Sequence, residues 1–136
     1  MRTFVSEDEN ALGELMYRAY LGTVDYEGET PEQAAIEVHK TIQGEYGVFL
    51  PDCSKVVERG GRLLGAALIT RFQERPFVAF TFTDPEFTGQ GLARACMEAA
   101  MSVLFAQGER ELRLVVTLAN APAVKLYANL GFQREQ

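Results

Sequence analysis

From Leu63 to Thr70 the sequence runs Leu-Leu-Gly-Ala-Ala-Leu-Ile-Thr, eight positions without a charge, bounded by Arg62 and Arg71. A run of this length is far short of the roughly 18 apolar residues of a membrane span. It suits a strand, and a strand apolar at every position, rather than at alternate ones, is covered on both faces. The chain must therefore place a layer of other elements on each side of the sheet that holds this strand.

The rest of the sequence supplies those layers. Ser6-Glu7-Asp8-Glu9 fits a capping box, and Leu12, Leu15, Met16 and Ala19 follow at helical spacing. Thr30-Pro31-Glu32-Gln33 repeats the signal with proline at the first helical position, and Ala34, Val38 and Ile42 continue it. Lys55–Glu58 reads as a short strand and Gly60-Gly61 as a hairpin turn. Pro76–Thr83 is rich in aromatic and β-branched residues and predicts another strand. A helix is expected over Leu92–Gln107, with Ala95, Cys96, Ala99, Ala100, Val103 and Leu104 on a broad apolar face. Leu112–Thr117 predicts a strand, and Ala121–Leu130 a last helix capped by Asn120 with Gly131 just beyond it. The order ααβββαβα predicts an α/β or α+β domain of three layers.

Composition narrows the function. Lys and Arg number 13 against 19 Asp and Glu, so the net charge is −6 and a nucleic-acid partner is not expected, because phosphate backbones need a positive surface. Two cysteines, Cys53 and Cys96, and one histidine, His39, are too few for a disulfide scaffold or a four-ligand zinc site, so no metal is expected. No membrane span and no secretory leader is read from the sequence, which predicts a single cytoplasmic domain over 1–136.

Between the aromatic strand and the amphipathic helix lies Asp84-Pro85-Glu86-Phe87-Thr88-Gly89-Gln90-Gly91-Leu92-Ala93. A glycine-rich turn at a helix N-terminus leaves backbone N–H groups free at the positive end of the helix dipole, which makes an anion site. The pyrophosphate of a nucleotide-type cofactor is the expected guest. It is not a dinucleotide fingerprint, because Arg94 stands at the third glycine position, and no Gly-Lys-Ser or Gly-Lys-Thr completes a Walker loop.

A second segment narrows the choice. Asn120-Ala121-Pro122-Ala123-Val124-Lys125-Leu126-Tyr127 leads into Asn129-Leu130-Gly131-Phe132, with Asn120 and Tyr127 on one helical face. Here the chain resembles the GCN5-related N-acetyltransferase (GNAT) superfamily. That family carries a pyrophosphate loop of the form Arg/Gln-x-x-Gly-x-Gly/Ala and, later, an Asn-x-x-Ala-x-x-Leu-Tyr-x-x-x-Gly-Phe segment. Thr88-Gly89-Gln90-Gly91-Leu92-Ala93 and Asn120–Phe132 match in order, with Thr88 where the family has Arg or Gln.

The resemblance implies a three-layer α/β/α domain with a central mixed, mostly antiparallel sheet, splayed at the cofactor site. It implies acetyl-CoA as cosubstrate, bound by Thr88, Gly89, Gln90, Gly91, Leu92, Ala93 and Asn120. It implies too that the strand ending at Phe82 and Thr83 binds pantetheine through its backbone and offers an N–H to the thioester carbonyl. The reaction implied is acetyl transfer to an amine by direct attack, with Tyr127 as the general acid for the leaving sulfur. No general base is assigned: Glu74, Asp84 and Glu86 flank the strand as loop carboxylates, and a water chain is the alternative. An acyl-CoA-binding module without catalysis is the competing reading.

In this family the loop between the first two helices helps form the acceptor side. Here Asp25, Glu27 and Glu29 give that loop a negative field, which favours a cationic amine, whether a small molecule or a protein amine. Phe132 is expected to open a further strand, yet only Gln133–Gln136 follow it, so the family's C-terminal strands look truncated. The expectation is an open sheet edge covered by a second copy of the chain, as a homodimer, or a trimmed or unusually short member.

Overall fold

A computed structural model describes residues 1–135. In chain order it contains β1 (Arg2–Thr3), α1 (Glu9–Tyr20), α2 (Pro31–Gln43), β2 (Val48–Phe49), β3 (Lys55–Arg59), β4 (Arg62–Phe72), β5 (Arg75–Thr83), α3 (Leu92–Ala106) and α4 (Ala121–Asn129), with short 3₁₀ turns at Ser6–Asp8, Pro51–Cys53 and Pro85–Phe87.

The apolar run forms the middle of the sheet. β4 pairs antiparallel with β3 and β2 along one edge and with β5 along the other, and β1 pairs with β3. Every residue from Leu63 to Thr70 is buried, because helices cover both faces. On one face, Leu12, Leu15, Ala34 and Val38 of α1 and α2 pack on Val56, Ala66, Leu68 and Phe82. On the other, Cys96, Met97, Ala100 and Leu104 of α3 pack on Val57, Ala67, Ile69 and Val78, joined by Tyr127 of α4. Each large apolar side chain buried in these layers contributes roughly 1.5–3 kcal/mol. Gly65 holds α3 close to β4: a Cβ there would lie 3.2 Å from the Leu92 Cβ.

Two local expectations differ from what forms. The first helix does not start at a Ser6 capping box. Val5 caps the Ser6–Asp8 turn that leads into α1, its N–H donates to Asp8 Oδ2 at 2.9 Å, and Asp8, the residue before α1, is held in turn by Arg2, whose Nη2 lies 2.8 Å from Oδ1. A buried, charge-paired carboxylate wins over an exposed hydroxyl as the anchor of this turn. The second box forms as read: Gln33 N–H donates to Thr30 Oγ1 at 3.1 Å, and Gln33 Oε1 accepts from Thr30 N–H at 2.8 Å.

Leu112–Thr117 also departs from the expected strand. It runs parallel to β5 but bridges it only at Phe77 and Arg113, which makes the sheet mixed. Val78 N–H donates to the Arg113 carbonyl at 2.8 Å and Arg113 N–H to the Pro76 carbonyl at 3.0 Å. Beyond Arg113 the segment and β5 part. The cause lies in β5, where Leu68 pairs with Phe80 but Ile69 pairs with Val78, so Ala79 is an extra residue. Such a bulge bends a strand and switches the face its side chains occupy. Val78 accordingly packs under α3, while Phe82 packs under α1 and α2. Phe132–Glu135 form no strand, and Gln136 lies outside the described residues.

Candidate active site

The glycine loop is held from behind by a buried carboxylate. Asp84, 1% exposed, follows β5 directly and donates its own N–H to the Leu64 carbonyl at 2.8 Å. Its Oδ2 accepts from Arg18 Nε at 3.1 Å and Arg62 Nη2 at 2.6 Å, and its Oδ1 from Glu86 N–H at 3.0 Å. From there the chain makes the Pro85–Phe87 turn, and Thr88 spends its hydroxyl on the Pro85 carbonyl at 3.3 Å. Gly89 and Gly91 follow with φ of 79° and 75°, the left-handed region that glycine takes without strain. A Cβ built on either meets no protein atom within 4 Å, so the loop opens onto free space. Gly91 caps α3 with no side-chain acceptor, which leaves the first-turn N–H groups aimed at that space.

The space is a cleft of about 360 Å³ between the glycine loop, β5 and α4, lined among others by Thr81, Thr83, Gly91, Arg94, Asn120 and Leu126. It adjoins a second cleft of about 280 Å³ in the gap between β5 and the segment after Arg113, where Tyr20, Asp25, Thr81, Asn120 and Tyr127 meet. Tyr20, Thr81 and Asn120 border both. Tyr127 projects from α4 into this gap, and its hydroxyl lies 2.6 Å from Thr81 Oγ1. Its ring stands edge-on to Phe132 with centroids 5.8 Å apart, which fixes where the hydroxyl points. Burial raises the Tyr127 pKa above its ordinary value, with the Thr81 hydrogen bond opposing the shift, so the phenol keeps its proton at neutral pH.

The two motifs of the sequence thus converge on one place. The Acetyltransferase (GNAT) family matches residues 14–132, a span that contains both. The chain belongs to the GNAT acetyltransferase family. Mycothiol acetyltransferase from Amycolatopsis mediterranei is 30% identical over 147 aligned residues, covering 100% of this chain and 46% of that protein. The curated relatives it matches are longer, and the chain spans 17% to 60% of their lengths. Among solved structures, the ribosomal-protein-S18-alanine N-acetyltransferase from Escherichia coli superposes with a TM-score of 0.74 at 24% identity, over 99% of this chain and 77% of the other. The PaiA N-acetyltransferase from Thermoplasma acidophilum, solved with coenzyme A, gives 0.74 at 20% identity, over 98% and 89%.

Within this GNAT fold, Thr83, Thr88, Gly89, Gly91, Leu92, Ala93 and Asn120 line the first cleft together. Gln90 is exposed and borders neither cleft. Phe82 faces the other way: its side chain is buried on the α1 and α2 face, stacked on Phe80. Its backbone also points toward β4, since the Asp84 N–H does and strand groups alternate. Thr81 and Thr83 are the residues whose backbone groups face the open edge. Thr83 is among the residues expected from the sequence, and reading Phe80-Thr81-Phe82-Thr83 with period two adds Thr81, apolar inward and polar toward the cleft.

Asn120 caps α4 by accepting from Ala123 N–H at 3.3 Å, and its Nδ2 donates to Asp25 Oδ2 at 3.1 Å. That contact draws the loop between α1 and α2 across the mouth of the gap. Glu27 is exposed and borders neither cleft, and its N–H donates to Glu29 at 3.0 Å. His39 Nδ1 lies 2.9 Å from Glu9 Oε2 on the surface. The Cys96 thiol, buried against the sheet, is pushed up to about 11 and stays protonated. Among the described residues no group of three His, Cys, Asp or Glu side chains is placed to hold a metal ion, and no helix is long and apolar enough to cross a membrane.

Proposed function

We propose that the chain is an N-acetyltransferase that binds acetyl-CoA in these joined clefts and transfers the acetyl group to a primary amine by direct attack. The observation that carries this is the Tyr127 hydroxyl, held by Thr81 where β5 parts from the next segment, in the cleft that adjoins the one bordered by the glycine loop. The pyrophosphate fits the Gly89–Ala93 loop and the α3 N-terminus. Arg94 lines the same cleft and supplies a positive side chain that Thr88 lacks. Pantetheine lies along the open edge of β5, where a Thr81 or Thr83 N–H meets the thioester carbonyl and stabilises the charge that develops on it. Tyr127 then protonates the leaving sulfur.

For the acceptor, a pocket of about 410 Å³ between α1 and α2 adjoins the gap through Tyr20. Tyr17, Tyr26, Phe80, Glu29, Glu37 and Lys40 line it; Glu37 is already paired with Lys40 at 3.9 Å and with the Tyr46 hydroxyl at 2.6 Å, so the rings and Glu29 are what suit an ammonium on an apolar stem. Of the acidic loop, Glu29 and Asp25 therefore support a cationic acceptor more directly than Glu27.

The test is thiol release from acetyl-CoA with a panel of amines that includes small cationic amines and a peptide with a free N-terminal alanine. Release that requires amine is the expected result, and tight CoA binding without turnover would instead make the chain an acyl-CoA-binding module. Gly91→Val is expected to raise the KM for acetyl-CoA about tenfold or more, because a β-branched residue at positive φ costs of order 1–3 kcal/mol and its side chain enters the anion site. Calorimetric titration with CoA checks this. The segment beyond Arg113 is also our proposed self-association edge, since Val115 and Leu118 are 85% and 63% exposed there. A concentration-dependent sedimentation coefficient, abolished by Val115→Lys, is the expected result.

A further inference from the structure

A primary alkylamine has a pKa of about 10.4 and reaches the enzyme as an ammonium, so some group must take its proton before nitrogen can attack. The carboxylates that flank β5 are not placed for this. Asp84 is buried in its ion pairs with Arg18 and Arg62, Glu86 is exposed on the turn, and Glu74 sits in the hairpin at the opposite end of β5. Among the residues lining the two joined clefts there is one carboxylate, Asp25. It is half-buried on the loop between α1 and α2, and the ionisable groups that border the gap with it are the phenols of Tyr20 and Tyr127. Asn120 holds one of its oxygens at 3.1 Å, and among the described residues the other accepts no hydrogen bond.

We propose that Asp25 is the general base of the transfer. The inference rests on the acetyltransferase reading above. Asp25 accepts the first proton of the ammonium and passes it to solvent. The nitrogen lone pair forms the C–N bond, and the C–S bond breaks with its electron pair going to sulfur. Tyr127 gives its phenolic proton to that sulfur, and the second proton of the nitrogen restores the phenol. One ammonium and one thioester thus yield one amide, one thiol and one proton released. Asp25 and Tyr127 stand on different elements, a loop and α4, and Asn120 at the start of α4 ties them together.

The test compares two acceptors of the same shape, n-propylamine and O-ethylhydroxylamine, in the wild type and in Asp25→Asn. The second is neutral at pH 7 and needs no proton removed before attack. The asparagine keeps an oxygen that accepts from Asn120. With propylamine, kcat at saturating amine is expected to fall about 100-fold in Asp25→Asn, the lower end of general-base effects, whereas a raised KM with kcat unchanged would mean that Asp25 only attracts the cation and would overturn the proposal. With O-ethylhydroxylamine the fall is expected to stay within a few-fold, and CoA affinity is unchanged. An equal loss with both acceptors would mean that Asp25 only positions Asn120, and no loss with either would remove it from the mechanism; both overturn the proposal. If the wild type acetylates neither amine, its slow hydrolysis of acetyl-CoA is the readout, with water as the nucleophile that must lose a proton. Hydrolysis at the wild-type rate in Asp25→Asn overturns the proposal, and hydrolysis lost with CoA binding intact supports it. Loss of CoA binding in the wild type would strike the acetyltransferase reading itself, which keeps the two failures distinct.

Discussion

Tyr127→Phe is expected to lower kcat about 100-fold, roughly 2.7 kcal/mol of lost transition-state stabilisation, while CoA affinity changes little. The split follows from where the hydroxyl stands. It lies in the gap where the thioester sulfur is proposed to sit, away from the pyrophosphate loop, so it acts on the departing thiolate and hardly on ground-state binding. The loss belongs at the lower end of general-acid effects because a thiol with a pKa of about 8.5 leaves moderately well without help. Folding stability should drop by only about 1 kcal/mol, since the phenylalanine ring still meets Phe132 and the one group left unpaired is the Thr81 hydroxyl. A variant within threefold of the wild type in stopped assays of thiol release would reduce Tyr127 to a packed aromatic. The direction of its pKa adds a check. Burial raises it, so in the wild type the alkaline limb of kcat lies above the ordinary tyrosine value of about 10, and in Tyr127→Phe that limb disappears.

What the sequence disclosed and what it withheld divide along a physical line. Local chemistry was legible. Thr30 and Gln33 bond each other as their spacing requires, Asn120 caps α4, and Gly89 and Gly91 take the positive φ that a glycine turn before a helix implies. The apolar run around Leu68 is covered on both faces because nothing else could satisfy eight uncharged residues. The withheld features are long-range. No pattern within β5 announces that Ala79 is the extra residue, since a bulge is defined by the pairing of two strands. The alternation Phe80-Thr81-Phe82-Thr83 separates the two phenylalanines from the two threonines, but the bulge decides which side meets the open edge, so Thr81 is a lining residue that the sequence motifs do not name. Leu112–Thr117 carries strand-like residues, yet its pairing stops at Arg113 because β5 has already turned away. Asp25 and Asn120 are 95 positions apart, and their contact is invisible until α1 and α4 stand on opposite faces of one sheet.

Asp84→Asn is expected to weaken both the fold and the cofactor site, through one cause. Burial works against ionisation of Asp84, but the Glu86 N–H and the guanidiniums of Arg62 and Arg18 outweigh it and hold the carboxyl below its ordinary value. Its neighbours therefore depend on the charge. Removing it leaves Arg18 and Arg62 partly solvated rather than stranded, so the cost should be about 2 kcal/mol, less than the 3–5 kcal/mol of a fully buried broken pair. The same carboxylate fixes the end of β5, the turn that follows and the last turn of α1, which places the glycine loop relative to Tyr20. The KM for acetyl-CoA should rise several-fold, with kcat at saturation nearly preserved, the reverse of the Tyr127→Phe split. Acid supplies a second readout. A carboxyl whose folded pKa is depressed contributes stability above its unfolded pKa of about 3.9, and that stability is lost as pH falls through the folded value. Asp8, held by Arg2, is depressed as well. Chemical denaturation below pH 4 should thus show a shallower loss of stability in Asp84→Asn than in the wild type, and a flat profile only when Asp8 is replaced too. Equal acid slopes in the variant and the wild type would show that the Arg18–Asp84–Arg62 cluster carries no net stability. The change in KM would then have to come from the loop backbone alone, through the hydrogen bond from the Glu86 N–H to Asp84 Oδ1.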